Sequence, residues 1–477
     1  KKKRKTRKKK CSIDTQTRPK KCITSTITRP KKCGILDTEV IAMYRKKIEA
    51  LKSWKNGINR KPLIIRGARQ VGKTWLAREF GSSEYKQVAY VNFDGNSRME
   101  TLFDQDFDIE RIVQGLKAET GVDINSKDTL IILDEIQEVP RAISSLKYFY
   151  ENAPEYHVIV AGSLLGVALH EGTSFPVGKV DFMDLGPLNF QEFLLALGED
   201  DLRGLIEDRN YELMGVFKDK LISLLKTYYF VGGMPEAVKT YVDTRSWNDT
   251  REVQKNILSA YEQDFSKHAP VTVVPRIRQV WDNLPEQLAK ENKKFIYGLI
   301  REGARAKDYE YALMWLEDTG LIHKVGRIDT PRLPLKAYRS LTAFKTYVVD
   351  VGLLSAMTGL SAKTLLEGDV VFTEFKGALT EQFVLQELIG FGMDTVYYWA
   401  VDDGSSAEVD FLIQIDNDII PIEVKAEENL QSKSLRTYSQ KYSPKKAVRV
   451  SMSDYRDEGW LVNTPLYMIE NIFPTYR

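Results

Sequence analysis

Between residues 63 and about 200, short apolar runs alternate with longer stretches whose apolar residues recur every three or four positions. The runs at 63–66 (LIIR), 87–93 (QVAYVNF), 129–134 (TLIILD) and 157–163 (HVIVAGS) read as strands. FDIERIVQGLKAE and AISSLKYFYENA carry helical periodicity. Such alternation predicts an α/β fold built on a parallel sheet. From roughly 190 to 270 the pattern turns helical (FQEFLLALG, ELMGVFKDKLISLLKTYYF), broken by VGGMPE at 231–236. Between 275 and 345 a helix, then KDYEYALMWLEDTG, then two strand-like runs, LIHKVGRI and LKAYRS, follow in the order of a winged helix. Residues 408–425, EVDFLIQIDNDIIPIEVK, alternate with period two around the turn residues Asp416, Asn417 and Asp418, which predicts a hairpin.

Two of these elements carry chemistry. GARQVGKT at 67–74 fits GxxxxGK[ST] at every fixed position, between the LIIR strand and the helical TWLAREF. Gly67 and Gly72 let the backbone curl so that its N–H groups face phosphates at a helix N-terminus. The expected nucleotide contacts are Gly67, Ala68, Arg69, Gln70, Val71, Gly72, Lys73, Thr74 and Trp75. Lys73 reaches the β/γ-phosphates, and the Thr74 hydroxyl holds magnesium. In TLIILDE, four apolar residues carry Asp134 to a strand end, where it completes the metal shell. Glu135, one residue on, is expected on the opposite side, polarising the attacking water. Ser163, after the next strand, is placed either to sense the γ-phosphate or to cap the helix LLGVALHEG. Sixty residues separate Thr74 from Asp134, room for another strand between the two motif strands. The pair predicts a protein that binds ATP with Mg²⁺ and hydrolyses it.

The second constellation lies in the C-terminal hairpin. A turn about 416–417 places Asp410 opposite Glu423, and period-two alternation puts Glu423 and Lys425 on one face. Opposed carboxylates repel unless a cation lies between them, and Lys425 could stabilise a developing phosphorane charge. Upstream, Glu381 sits among apolar neighbours in the amphipathic GALTEQFVLQELI and is a candidate further ligand. The D-x12-E-x-K spacing is that of PD-(D/E)xK nucleases. The competing reading pairs Lys425 with Glu408 across the hairpin and leaves a solvated sheet face.

Charge narrows the partners. Residues 1–33 hold 15 of the 69 basic residues and one of the 66 acidic ones, a net of +14, so the remainder of the chain is acidic, at −11. The body therefore offers no global electrostatic case for nucleic acid. The winged-helix segment carries Asp308, Glu310, Glu317 and Asp318 against Lys307, so it reads as a protein–protein module. All three cysteines, Cys11, Cys22 and Cys33, recur at 11-residue spacing in a basic repeat (TRKKKC, TRPKKC, TRPKKC), which rules out a disulfide framework in the body. That repeat reads as a disordered segment or one upstream of the true start, against the alternative of a polybasic arm. No apolar run reaches the 18 or more residues of a membrane span, and the expected location is the cytoplasm.

Together with AGSLLGVAL, GPLNFQEFL, the GGMPE segment, YVVDVGLLSAMTG and GALTEQFV, these motifs resemble a widespread bacterial and archaeal family. Its members are AAA-type ATPases with a C-terminal restriction-endonuclease-like domain of unknown function. The resemblance covers residues 43–477 and leaves out the basic tail. The family commonly has Gly-Arg shortly before its PL-x-F-x-EF segment, where this chain has Gly178-Lys179; an arginine serving a neighbouring subunit would here be a lysine, without the bidentate fork. The expected division is a basic tail at 1–42, a P-loop ATPase domain at 43–200, a helical and winged-helix connector at 201–345 and a nuclease-like domain at 346–477. Two alternatives stand beside an ATPase coupled to a nuclease-like domain. One is an ATP-gated protein-interaction switch without nuclease activity; the other is an ATP-regulated DNA endonuclease. A protein partner is expected in the first two, and a second divalent metal wherever the C-terminal site is active.

Overall fold

The computed structural model describes residues 43–162, 175–290, 294–367, 373–401, 407–428 and 431–473. The basic repeat and Ser163 lie outside them. Five strands form the first sheet: β1 (Leu63–Arg66), β2 (Gln87–Asn92), β3 (Thr129–Asp134), β4 (His157–Ala161) and β5 (Asp181–Asp184). Their order is β2-β3-β4-β1-β5, with every neighbour parallel. The strand lying between the two motif strands is thus β4, which comes later in the chain, while β2 takes the edge. All six residues of β3 are buried, as a strand covered on both faces requires. Alternate residues feed separate cores. Leu63, Ile65, Leu130, Ile132 and Ile159 face one, with Leu76, Ala77 and Phe80 of the helix Lys73–Glu84. Ile64, Ile131, Leu133, Val158 and Val160 face the other, with Ile112 and Leu116 of the helix Ile109–Thr120 and Ile143 and Leu146 of Pro140–Asn152. Each such Leu, Ile, Val or Phe side chain contributes about 1.5–3 kcal/mol by leaving water. This is the α/β fold of a P-loop NTPase.

A second, mixed sheet holds β6 (Ile322–Ile328), β7 (Arg339–Val348), β8 (Tyr397–Ala400), β9 (Glu408–Ile415), β10 (Asp418–Val424), β11 (Ala447–Ser451), β12 (Arg456–Asp457) and β13 (Leu461–Pro465). Their order is β12-β13-β11-β10-β9-β8-β6-β7. Of the two runs read as wing strands, LIHKVGRI becomes β6, which pairs antiparallel with β7 and parallel with β8, while LKAYRS is mostly the 3-10 turn Leu335–Tyr338, with Arg339 and Ser340 opening β7. The reason is that a two-stranded wing leaves the backbone N–H and C=O groups on one side of β6 unpaired, and the β8 backbone is available to pair with them. β7 runs straight through the expected boundary at 345/346. One apolar core also extends from Leu51 to Ile469, across the expected divisions at 200/201 and 345/346.

The helix Thr373–Gly390 joins this sheet to the first. Glu387 accepts from the Phe190 amide at 2.9 Å, capping the start of the helix Phe190–Ala196. Gln386 donates to the Tyr228 hydroxyl at 2.8 Å and accepts from the Val351 amide at 2.8 Å. Asp350, fully buried, accepts from the amides of Gly233 at 2.6 Å and Leu353 at 2.9 Å. The break in helical pattern at VGGMPE is where Gly232 turns with φ +72; a Cβ there would sit 2.1 Å from the Asp350 carboxylate.

Candidate functional site

The loop after β1 is shaped by its glycines and by what packs beneath it. Gly67 has φ +140, and a Cβ on it would lie 2.1 Å from the Leu185 carbonyl oxygen, just past β5. Gly72 caps the helix Lys73–Glu84 at φ +93. Arg45 holds the loop from outside the motif, donating to the Val71 carbonyl at 2.9 Å and the Gly186 carbonyl at 2.7 Å. Inside the loop, Lys73 Nζ donates to the carbonyls of Gly67 at 2.9 Å and Ala68 at 2.8 Å. Burial lowers the Lys73 ammonium to about 8, against the opposing pull of Glu135 and then Asp134. Ala68 and Val71 are buried, Arg69 and Gln70 follow the curl, with Gln70 at φ +67, and Trp75 is 38% exposed at the helix start.

Asp134 ends β3 and gathers three donors. Its Oδ2 accepts from Thr74 Oγ1 and from the Tyr90 hydroxyl, each at 2.9 Å, and its Oδ1 accepts from the Glu135 amide at 3.1 Å. The Tyr90 phenol is pushed up to about 12, first by burial and then by this bond to Asp134. Sequence reading missed Tyr90, which looks like any apolar strand residue in β2; the cue would have been a polar tip two residues from the strand end. Glu135 lies just past the end of β3. It leaves the strand at φ +51, starts the turn Ile136–Glu138, and keeps its carboxylate within electrostatic reach of Lys73. Strand alternation stops applying where the strand stops. Gln137 Nε2 donates to Glu135 Oε2 at 2.5 Å. The hydroxyl of Thr74 and the carboxylate of Asp134 are the oxygen donors a hard divalent cation takes, so these residues fit magnesium. Lys179 pairs instead with Glu151 at 2.8 Å, on the helix Pro140–Asn152.

In the C-terminal sheet the hairpin register holds. Ile422 pairs with Phe411, so the next position sets Glu423 against Asp410. Asp410 Oδ2 accepts from the Val424 amide at 2.8 Å, and Glu423 Oε1 lies 2.9 Å from Lys425 Nζ. Glu423 is buried, and its Oε2 has no hydrogen-bond partner. The expected alternative pair, Glu408 with Lys425, is not made. Glu408 bonds Lys345 of β7, a fully buried lysine also 4.0 Å from Glu381 Oε2. Tyr347 donates to that same Glu381 oxygen at 3.1 Å. Burial would lower the Lys345 ammonium, but Glu381, Glu408 and Asp410 outweigh it and hold the group charged, above its ordinary range. An internal ammonium thus stands among carboxylates where the sequence suggested a metal. Among the described residues no three His, Cys, Asp or Glu side chains converge as a metal-holding group, nor is any helix long and apolar enough to cross a membrane.

Sheet order, phosphate loop and acidic strand end are together those of a P-loop nucleotide-binding domain. A family model described as "AAA domain" matches residues 59–194. Two models of domains of unknown function match the rest, DUF8612 over 222–364 and DUF4143 over 376–467. No curated protein matches. Among solved structures, the Walker-type ATPase PABY2304 of Pyrococcus abyssi is 15% identical over 68% of this chain and 96% of its own, at a TM-score of 0.40. The Aeropyrum pernix ORC1 protein in complex with DNA is 13% identical over 68% and 93%, at 0.23. AMPPCP-bound DnaA from Aquifex aeolicus is 15% identical over 57% and 86%, at 0.24.

Proposed function

We propose that this chain is a magnesium-dependent ATPase whose nucleotide state controls the surface that the second sheet presents to a protein partner. The observation that carries the reading is the meeting of Lys73, Thr74, Asp134 and Glu135 at one end of the first sheet. The phosphates of ATP would take over the ammonium that the Gly67 and Ala68 carbonyls now hold. Thr74 and Asp134 would hold magnesium, which when bound neutralises charge between the β- and γ-phosphates. Tyr90 and the Glu135 amide keep the Asp134 carboxylate in place. Glu135 orients water and takes its proton as the water oxygen bonds to the γ-phosphorus. The bond to the β,γ-bridging oxygen breaks, and ADP and phosphate leave.

The test is ATP binding by calorimetry and phosphate release in the wild type, Lys73→Ala and Glu135→Gln. Lys73→Ala should lose binding; Glu135→Gln should keep it and lose turnover by roughly 10²-fold or more. Equal turnover in Glu135→Gln and the parent overturns the assigned role.

For the second sheet, the Lys345 ammonium among Glu381, Glu408 and Asp410 supports the interaction-switch reading, because the carboxylates already have an internal counter-charge. One observation favours the metal-dependent nuclease instead: the buried, unpartnered Oε2 of Glu423 opposite Asp410, with Lys425 beside it. Manganese titration of the full chain with its phosphate loop disabled by Lys73→Ala separates the two. Binding that weakens in Asp410→Asn supports the nuclease reading, and no binding in the parent removes it.

A further inference from the structure

The phosphate loop is gripped from the side by the segment that follows the ATPase domain. Tyr261 and Asp264 lie three residues apart on the helix Trp247–His268, hence on one face. The Tyr261 hydroxyl donates to the Arg69 carbonyl at 2.8 Å, and the Asp264 carboxylate pairs with the Arg69 guanidinium. Tyr261 and Asp264 are buried, while the Arg69 side chain is one-third exposed, at 33%. Two more contacts reach the loop from the same segment. A Cβ on Gly320 would stand 3.1 Å from the Ala68 amide nitrogen, and one on Gly72 would stand 3.5 Å from Pro235.

Arg69 is the one cation of this loop besides Lys73. It follows Ala68, whose carbonyl accepts from Lys73 Nζ at 2.8 Å, so the guanidinium is carried by the same loop that curls around the phosphate position. A bound triphosphate brings several negative charges to that position. Asp264 is then a like charge beside them and a rival for the same guanidinium. Both effects run one way: the carboxylate opposes nucleotide, and nucleotide opposes the ion pair. Such couplings are reciprocal by linkage.

We propose that Asp264 acts through Arg69 as a nucleotide-occupancy sensor, a positioning residue that lowers ATP affinity and is released when the phosphates claim Arg69. Release frees one anchor of the helix Trp247–His268. The segment linking the two sheets then reports the state of the loop.

This rests on the loop binding ATP, and the experiment separates the two claims. ATP affinity is measured by calorimetry in the wild type, Asp264→Asn and Arg69→Gln, with hydrogen exchange across 257–268 with and without ATP. Asp264→Asn should bind about tenfold tighter, the equivalent of ~1.4 kcal/mol, and Arg69→Gln more weakly than wild type. In the wild type ATP should raise exchange in 257–268, and in Asp264→Asn that response should vanish. A purely structural Asp264 would weaken binding or leave it unchanged on substitution, and either result overturns the proposal. If Asp264→Asn does not fold, wild-type exchange decides: unchanged or reduced exchange on ATP addition overturns it. Absence of ATP binding in the wild type refutes the nucleotide site itself, and the sensor with it; binding that is indifferent to Asp264 refutes the sensor alone.

Discussion

Raising the pH from about 7 to about 9 should weaken ATP binding by roughly tenfold, through Lys73. Its ammonium is buried and donates to the Gly67 and Ala68 carbonyls, and burial lowers it from 10.5 to about 8. That shift corresponds to about 3 kcal/mol of penalty on the charged form at ~1.4 kcal/mol per pH unit. Phosphates favour the charged form, so binding above this pH must first load a proton. About nine-tenths of the free protein carries that proton near pH 7 and about one-tenth near pH 9, which gives the tenfold loss. Isothermal calorimetry in two buffers of different ionisation enthalpy reads the proton directly: uptake near zero at about pH 7 and approaching ~0.9 per nucleotide at about pH 9. A lysine at its ordinary 10.5 would leave both affinity and uptake flat over this range, and that result refutes the reasoning. Folding stability runs the other way. The folded protein binds fewer protons than the unfolded chain between about pH 8 and 10.5, so the Lys73 penalty is present at neutral pH and fades as the pH rises through that window.

Tyr90→Phe removes one hydrogen bond to the Asp134 carboxylate, worth about 1.5–3 kcal/mol for a charged acceptor. Turnover should then need several-fold more magnesium while metal-free ATP binding is unchanged; an unaltered magnesium dependence contradicts the role given to Tyr90. Asp350→Ala leaves the Gly233 and Leu353 amides without their acceptor and should cost ~2–6 kcal/mol in urea unfolding, at about 1–3 for each group. Burial raises the Asp350 carboxyl from 3.8 to about 6, so the proton-linked part of its contribution should be fully present below about pH 4 and be lost as the pH rises through about 6; equal slopes of stability against pH in the wild type and Asp350→Ala argue against it. Lys345→Met strips the counter-charge from buried carboxylates and should cost ~3–5 kcal/mol, read as a lowered melting temperature. A neutral substitution there would mean that the carboxylates find other compensation.

What the sequence declares is local. The phosphate loop, β1 to β4 and the 408–425 hairpin each depend on residues within one short stretch, and period-two alternation suffices to set Glu423 against Asp410. What it conceals depends on distance along the chain. Tyr90 meets Asp134 across 44 positions, Lys345 meets Glu408 across 63, and Arg45 meets Gly186 across 141. β5 has a single buried apolar residue, Met183, in its four, so no apolar run announces it. The left-handed turn at Glu135 is invisible because strand alternation predicts a side only while the strand lasts. The wing reading fails for a related reason: a short run such as β6 looks the same whether it belongs to a two-stranded wing or borders a larger sheet.

That last arrangement bears on how such a gene could be cut and rejoined. A recombination joint between β7 and the rest of the second sheet would strand β8 as an open border, its backbone N–H and C=O groups ready to pair with another chain. It would also part Lys345 from Glu381 and Glu408, so each half would inherit buried charge without its counterpart. Residues 322–465 should therefore be passed on as one block, whichever domain precedes them.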